Sequence, residues 1–185
     1  MRTITLTILF MMTVACYSQN NLMETRNRLQ RELQTAEATW MTVYNLAYTD
    51  ILMTFGIKDD VLKSRLLDEA EGYLSKLDAM AEADLSEVEA LKAFRYLSLM
   101  NQNPSVNGPK YGGNIMVALE KAKKLNPDNP RAIILSAMYH KNMAAFMNQK
   151  YEEYDKEIAH AKELLQKQDT TGPAPVWGME LCSIR

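Results

Sequence analysis

Apolar residues recur every three to four positions along most of the chain, which is the spacing of one face of an α-helix. The first such run holds Leu29, Leu33, Ala36, Trp40, Val43, Tyr44, Ala47 and Ile51. It predicts either one long helix or two helices with a break near residues 35–39, since a helix of about 30 residues is far longer than the mean.

Capping residues predict where the next two helices begin. Asp59 and Asp60 precede an apolar run, and their carboxylates suit the N-terminus of a second helix. Ser86 is followed three residues later by Glu89, which is the spacing of a capping box and places the start of a third helix at Ser86. Between these two signals the chain contains no proline.

The second half of the chain alternates helical patterns with turn residues. A stretch rich in Asn, Gly and Pro predicts a long loop, and Pro130 suits the first position of a helix. The predicted segments are a loop over 101–113, helices over 113–125, 130–147 and 151–168, and an irregular tail over 171–185. The whole pattern predicts an all-α fold of about six helices, with one domain over 19–170.

Three alanines stand at matching places in three of the predicted helices. Ala70, Ala122 and Ala161 each follow a large apolar residue by three positions and are flanked by charges. A small side chain lets two helices approach closely, so this repetition indicates an array of helix pairs.

The segment from Leu119 to Leu135 resembles the junction between tetratricopeptide repeats. Ala122 and Pro127 stand at the alanine and proline positions of that family, and Leu119 stands at its large apolar position. The resemblance implies a right-handed array of antiparallel helix pairs whose inner face binds peptides or proteins. The chain departs from the family pattern where the predicted third helix lacks the usual early Trp and Gly.

More narrowly, the chain is similar to a group of exported tetratricopeptide-like proteins from Bacteroidetes-type bacteria. The residues that carry this resemblance are the 119–135 junction, Pro109-Lys110-Tyr111-Gly112-Gly113, and Pro173, Pro175, Trp177 and Gly178. The resemblance implies a fold and a cellular address, and it implies no activity.

The first residues have the pattern of a secretory leader. Met1-Arg2 is positively charged, and residues 4–15 form an uncharged, mostly apolar run that is too short to span a bilayer. We predict a signal peptide over 1–18, with cleavage after Ser18, and a periplasmic or secreted protein. The alternative is a lipobox that ends at Cys16, which would make the chain an outer-membrane lipoprotein.

Composition excludes several classes of partner. The net charge is −2 and no long basic block is present, which argues against nucleic acid and against a basic membrane-binding patch. No later run of 18 apolar residues predicts a transmembrane helix. Cys16 and Cys182 are the two cysteines, so removal of the leader would leave no pair for an internal disulfide.

No catalytic or cofactor motif is found. The chain has two histidines, His140 and His160, with no His-Glu-x-x-His, cysteine pair or glycine-rich phosphate loop. We therefore predict that it is not an enzyme and has no resident cofactor. Metal ligands are predicted only as an alternative: His140, Met143 and Met147 share one helical face and suit copper(I), although methionines at this spacing more often pack a core.

The predicted function is a scaffold that binds a protein or peptide in the cell envelope, with a structural subunit of an envelope complex as a further alternative. The candidate partner-binding residues, on the predicted inner face, are Arg95, Tyr96, Arg131, Ile134, Met138, Lys141 and Asn142. The tail is predicted to pack on the last helix, where Trp177 would cover Leu164 and Leu165.

Overall fold

The computed structural model describes residues 19–35, 37–169 and 171–183. These residues form helices and no strand, which confirms the all-α class. The predicted leader and its lipobox alternative lie outside the described residues. The helices are α1 (Gln19–Glu32), α2 (Trp40–Met53), α3 (Asp60–Asp78), α4 (Leu85–Gln102), α5 (Pro104–Leu125), α6 (Pro130–Phe146) and α7 (Tyr154–Lys167), and a 3-10 turn follows at Leu181–Ser183.

The first apolar pattern folds as two helices, which raises the number of described helices from the predicted six to seven. Residues 33–39 separate α1 from α2. The backbone N–H of Thr39 donates to the hydroxyl of Thr42 at 3.2 Å, and this bond satisfies a donor at the start of α2. Trp40, the first residue of α2, is already buried.

One predicted N-cap is confirmed, and another lies two residues after the observed N-cap. Asp59 accepts a hydrogen bond from the N–H of Val61 at 2.9 Å, as expected of an N-cap. At α4 the cap is Asp84, whose carboxylate accepts from the N–H of Ser86 at 2.9 Å. Ser86 is therefore inside the helix, where its buried hydroxyl donates to the carbonyl of Ala122 at 2.9 Å.

The predicted loop over 101–113 is also wrong, because α5 begins at Pro104 and only Asn103 interrupts the helices. Proline has no N–H to satisfy, so it suits the first position of a helix. The side-chain amide of Asn107 donates to the carbonyl of Leu99 at 2.8 Å and ties this turn to α4. Packing on α4 thus overrides the weak helix propensity of the segment.

Gly112 lies inside α5 and does not form the sharp turn that its sequence context suggests. A Cβ at this position would stand 3.1 Å from the hydroxyl oxygen of Tyr139 on α6. The glycine therefore permits a close approach between α5 and a tyrosine of the next helix.

Neighbouring helices pack against one another along the chain. The helix α2 contacts α3, α4 contacts α5, and α6 contacts α7, while α2, α4 and α6 also contact one another in succession. The helix α1 packs on α2. Most of the buried apolar residues form one continuous core between these layers. The tetratricopeptide-like interpretation of this arrangement remains a prediction.

The three repeated alanines are fully buried. Ala70, Ala122 and Ala161 each have a relative exposure of 0%. Ala122 packs with Ala90 of α4 and Ala132 of α6, so three helices meet at side chains of one methyl group. A larger group at position 122 would have to push these helices apart.

Replacement of Ala122 by leucine is expected to lower the free energy of unfolding by about 1–3 kcal/mol, because overpacking forces backbone shifts. Chemical denaturation measures this loss. Val117 lies on the same helix and is 53% exposed, so Val117→Leu is the matched control and should change stability by less than about 0.5 kcal/mol. Equal midpoints for the two variants would contradict the close contact.

Candidate functional site

The tail packs against α2, α4 and α6 through Trp177, which is one of its buried apolar side chains. The indole is 5% exposed. Its ring is stacked on Tyr48 of α2, with centroids 5.1 Å apart and planes 15° apart. It is also stacked on Phe94 of α4, at 5.5 Å and 23°. Tyr48 and Phe94 also lie against each other, with centroids 6.1 Å apart, so together they form one wall of a slot that holds the indole.

Polar contacts fix the orientation of the indole. The indole N–H of Trp177 donates to the hydroxyl of Tyr44 at 3.0 Å. The guanidinium carbon of Arg131 lies over the indole, 5.5 Å from the ring centroid, within the range of a cation–π contact. Each polar and aromatic part of the Trp177 side chain therefore has a partner, as expected of a buried anchor.

The tail backbone is bound as well. The carbonyl of Pro175 accepts hydrogen bonds from the Arg131 guanidinium and from the side-chain amide of Gln168, the latter at 3.1 Å. Gly178 has φ +120°, a conformation that favours glycine, and a Cβ there would stand 3.4 Å from Leu165 of α7. Backbone hydrogen bonds combined with one side-chain pocket are a common way to hold an extended peptide.

We call this surface the tail groove. It is formed by Tyr44, Tyr48, Phe94, Arg131, Ile134, Leu165 and Gln168.

A buried ion pair lies beneath the tail groove. Arg131 has a relative exposure of 0%, and its Nη1 is 3.1 Å from Oε1 of Glu87 on α4. Burial raises the pKa of Glu87, and the nearby Arg131 opposes this rise. Burial also raises the pKa of Tyr44, so its hydroxyl stays neutral. Arg131 therefore joins α4, α6, α7 and the tail in a single polar network.

A cavity of about 230 Å³ adjoins the tail groove beside Pro173 and Pro175. Trp40 and Leu164 provide apolar wall, and three carboxylates with one guanidinium provide the charged wall. These charged residues are Asp84, Glu87, Asp128 and Arg131. The cavity is thus an acidic continuation of the tail groove.

The structure places the predicted partner-binding residues of α6 in different surroundings. Arg131 and Ile134 are buried and lie against the tail, and Met138 is buried in the core. Lys141 lies over an aromatic ring at the start of α7, and Asn142 is half-buried. A partner on this face would meet the chain's own tail first.

The two predicted partner-binding residues of α4 do not line the tail groove. Arg95 donates to the carbonyl of Leu67 at 2.8 Å and pairs with Glu71 at 2.8 Å, which are both on α3. Tyr96 is stacked on Tyr111 of α5, with centroids 6.1 Å apart. These side chains tie α3, α4 and α5 together, and their role in partner binding stays a prediction.

A second candidate surface surrounds His140 near the end of α6. The imidazole is half-buried and lies next to two aromatic rings, with centroid distances of 5.3 Å to Tyr151 and 6.0 Å to Tyr139. Its Nδ1 is buried and has no hydrogen-bond partner within residues 19–35, 37–169 and 171–183. We call this the His140 surface, formed by Tyr139, His140, Met143, Phe146, Met147 and Tyr151.

Three large apolar residues follow this histidine at the end of α6. Met143 packs partly against the core, whereas Phe146 is 73% exposed and Met147 is also exposed. The helices α5 and α6 meet where the Tyr139 hydroxyl approaches the carbonyl of Gly112. An apolar surface of this kind on a water-facing helix end is typical of a binding site.

The tyrosines of the His140 surface are poor metal ligands. Burial, together with the hydrogen bond that its hydroxyl donates to Glu157 at 3.0 Å, raises the pKa of Tyr151 to about 12. Burial also raises the pKa of Tyr139. Both phenols are therefore neutral near pH 7, and the imidazole of His140 is the best electron-pair donor on this surface. No group of three or more His, Cys, Asp or Glu side chains suited to a metal occurs in the described part of the chain.

Sequence reasoning did not identify the partners of Trp177. It placed Trp177 over Leu164 and Leu165, whereas the indole contacts α2, α4 and α6, and Gly178 and the 3-10 turn contact α7. The available signal was the pair of aromatic residues on α2, Tyr44 and Tyr48, spaced four apart on one face.

These observations define an all-helical protein with an aromatic peptide-holding groove and an exposed apolar surface at one end. No protein-family model matches the chain, and no curated protein matches it. Its fold is similar to that of a solved structure, the HusA haemophore from Porphyromonas gingivalis. The TM-score is 0.79 at 23% identity, and the match covers 96% of this chain and 88% of that chain.

The likeness extends over nearly the whole chain and shows a shared all-helical fold. The similar structure comes from a Bacteroidetes bacterium. Among the helices of the described residues, none combines the length and the apolar character needed to cross a bilayer.

Proposed function

We propose that this chain is an exported binding protein of the cell envelope and that its His140 surface binds an iron porphyrin. The observation that carries the proposal is the half-buried imidazole of His140 next to two aromatic rings, near the end of α6 where the side chains of Phe146 and Met147 are exposed. Histidine is a common axial ligand of haem iron. The exposed apolar side chains offer contact area for the macrocycle. A protein with the same fold is named a haemophore.

The chemistry of the neighbouring groups favours histidine as the iron ligand. Tyrosine binds haem iron as a phenolate, and both phenols of this surface have raised pKa values. Nδ1 of His140 is buried, so a ligand would approach through the other ring nitrogen.

Export is part of the same proposal. The leader pattern over 1–18 supports a periplasmic or secreted protein, and a lipid on Cys16 would instead hold it at the outer membrane.

Hemin titration tests the porphyrin site. We expect saturable binding with a Soret shift that indicates imidazole coordination, and we expect His140→Ala to weaken affinity at least about tenfold. The control is His160→Ala, because His160 is the second histidine, lies exposed on α7 and has Asp128 as its nearest charged partner at 3.9 Å. Equal Soret spectra for the two variants would contradict coordination by His140.

A matched variant separates the porphyrin from the copper alternative. Copper(I) held by His140, Met143 and Met147 would depend on thioether sulfur. Met147→Leu keeps the apolar contact and removes the sulfur, so it should leave hemin affinity within about threefold and abolish tight copper(I) binding if that alternative holds.

The tail groove favours a second candidate function, a tetratricopeptide-like scaffold that binds a peptide or protein. The observation behind it is the extended segment that the groove already holds, with a bound carbonyl and a buried indole. As a structural subunit, the chain would use the same groove within an envelope complex.

A further inference from the structure

The tail groove continues beyond the segment that occupies it. We infer that the groove recognises a partner peptide with an aromatic anchor and, a few residues before it, a cationic side chain that enters the acidic cavity. This inference rests on the second candidate function and is independent of the porphyrin site. In the resting chain, the tail occupies the groove in place of the partner.

The tail groove binds features that many peptides share. It holds a flat ring against the aromatic side chains of Tyr48 and Phe94, and the hydroxyl of Tyr44 accepts a hydrogen bond from the indole N–H. It binds one backbone carbonyl through Arg131 and Gln168. The anchor ring is the one side chain that these contacts recognise, and the other contacts are made to the peptide backbone.

The side chains that line the cavity carry a net negative charge. Three carboxylates and one guanidinium line it, and the guanidinium is already paired with Glu87. Asp84 caps α4 and Asp128 lies 3.9 Å from the imidazole of His160, and within the described residues neither carboxylate pairs with a lysine or arginine. Its volume of about 230 Å³ admits one long side chain but not a second helix or strand. Both aspartates are exposed, and a cleft lined mainly by carboxylates attracts a cation.

The tail itself places no cationic side chain in this cavity. Thr171 and Gly172 are exposed and lead back to the end of α7. The sequence carries no lysine or arginine between Lys167 and Arg185. A partner peptide is not joined to α7, so its backbone is free to continue past the position of Pro173 into the cavity.

Two labelled peptides test the inference on the full-length chain. Both have the sequence of Thr171–Glu180, one with Thr171→Lys and the other with Thr171→Glu. The protein carries Trp177→Ala, which empties the anchor slot. In fluorescence anisotropy titrations we expect the lysine peptide to bind about tenfold more tightly than the glutamate peptide. We expect the wild-type chain to bind both at least about tenfold more weakly, since its own tail fills the groove.

Charge variants and a milder tail variant complete the design. Asp84→Asn keeps the capping oxygen, and Asp128→Asn changes an exposed side chain, so both remove charge with little effect on the fold. In this background the tenfold preference for lysine should fall below about threefold. If circular dichroism shows that the alanine variant is unfolded, Trp177→Leu serves in its place, because leucine keeps apolar cover over the core and removes the aromatic ring and the indole N–H that the peptide would supply.

Two results would overturn the inference. Equal affinities for the two peptides would show that the groove does not prefer a basic side chain to an acidic one. Absence of binding to a folded Trp177 variant, or equal binding to the wild-type chain, would show that the groove serves the tail alone. Neither result would affect the hemin titration.

Discussion

The Trp177→Ala variant is expected to lose about 3–5 kcal/mol of free energy of unfolding, as is usual when a fully buried aromatic side chain is truncated. The indole is 5% exposed and is stacked on Tyr48 and Phe94. Its removal leaves a cavity between α2 and α4. The buried hydroxyl of Tyr44 also loses the hydrogen bond that it accepts from the indole N–H. The cavity and the lost hydrogen bond add to the lost apolar burial.

Urea denaturation monitored by circular dichroism measures the loss, since helix content is independent of the removed fluorophore. Val176 is the adjacent residue and is 81% exposed, so Val176→Ala should change stability by less than about 0.5 kcal/mol. A Trp177→Ala midpoint equal to that of Val176→Ala would mean that the tail is not part of the folded core.

The size of this effect has a consequence for the groove. A tail that contributes several kcal/mol to the free energy of unfolding rarely dissociates from the tail groove. A partner must therefore bind tightly or make contacts that the tail lacks. The acidic cavity offers such a contact. The same residues thus serve the stability of the resting chain and the selectivity proposed for a partner.

Local signals were sufficient to predict most helices. Asp59 caps α3 and Pro130 opens α6 because these preferences act within one turn of the backbone. The close-contact alanines were also readable, since the repeat places Ala122 at a junction of three helices.

The segment before Gly113 shows where local signals fail. Its Asn, Gly and Pro residues favour a loop, yet α5 spans it because Asn107 bonds to α4 and Gly112 admits Tyr139. Both interactions join residues on different helices, so the intrinsic helix propensity of the segment cannot predict them.

In the candidate sites, too, local spacing predicts some residues, whereas contacts between distant parts of the chain determine the others. His140 and the methionines could be selected from helical spacing alone, whereas the approach of Tyr151 depends on how the chain turns between α6 and α7. The hydrogen bond from Trp177 to Tyr44 joins residues 133 positions apart. Apolar periodicity shows that such residues are buried, but it does not identify their partners.

Replacement of Arg131 by methionine is expected to cost about 3–5 kcal/mol, because the change leaves the carboxylate of Glu87 buried and unpaired. Arg131 is fully buried and also binds Gln168 and the carbonyl of Pro175, so the tail loses a contact as well. Chemical denaturation at pH 7 measures the loss. Arg28→Met is the control, since Arg28 is exposed and pairs with Glu32 only at 3.4 Å.

A second substitution identifies the cause of that loss. If the unpaired charge is responsible, Glu87→Gln in the Arg131→Met background should restore about half of the lost stability or more, because a neutral amide costs less to bury than a carboxylate. If the double variant is as unstable as Arg131→Met, the contacts of Arg131 with the tail are the main contribution.

The stability of Arg131→Met should also depend on pH in a defined direction. Burial already raises the pKa of Glu87 above its ordinary value of 4.5, and Arg131 opposes that rise, so its removal raises the pKa further. A carboxyl group with a higher pKa in the folded state stabilises the fold only while it is protonated, and this stability is lost as the pH rises through the folded-state pKa. The difference from wild type should therefore be smallest near pH 4.5 and should grow toward pH 7. Denaturation midpoints measured across this range test the prediction, and a difference that is constant or that shrinks with rising pH would show that Glu87 does not carry the buried charge.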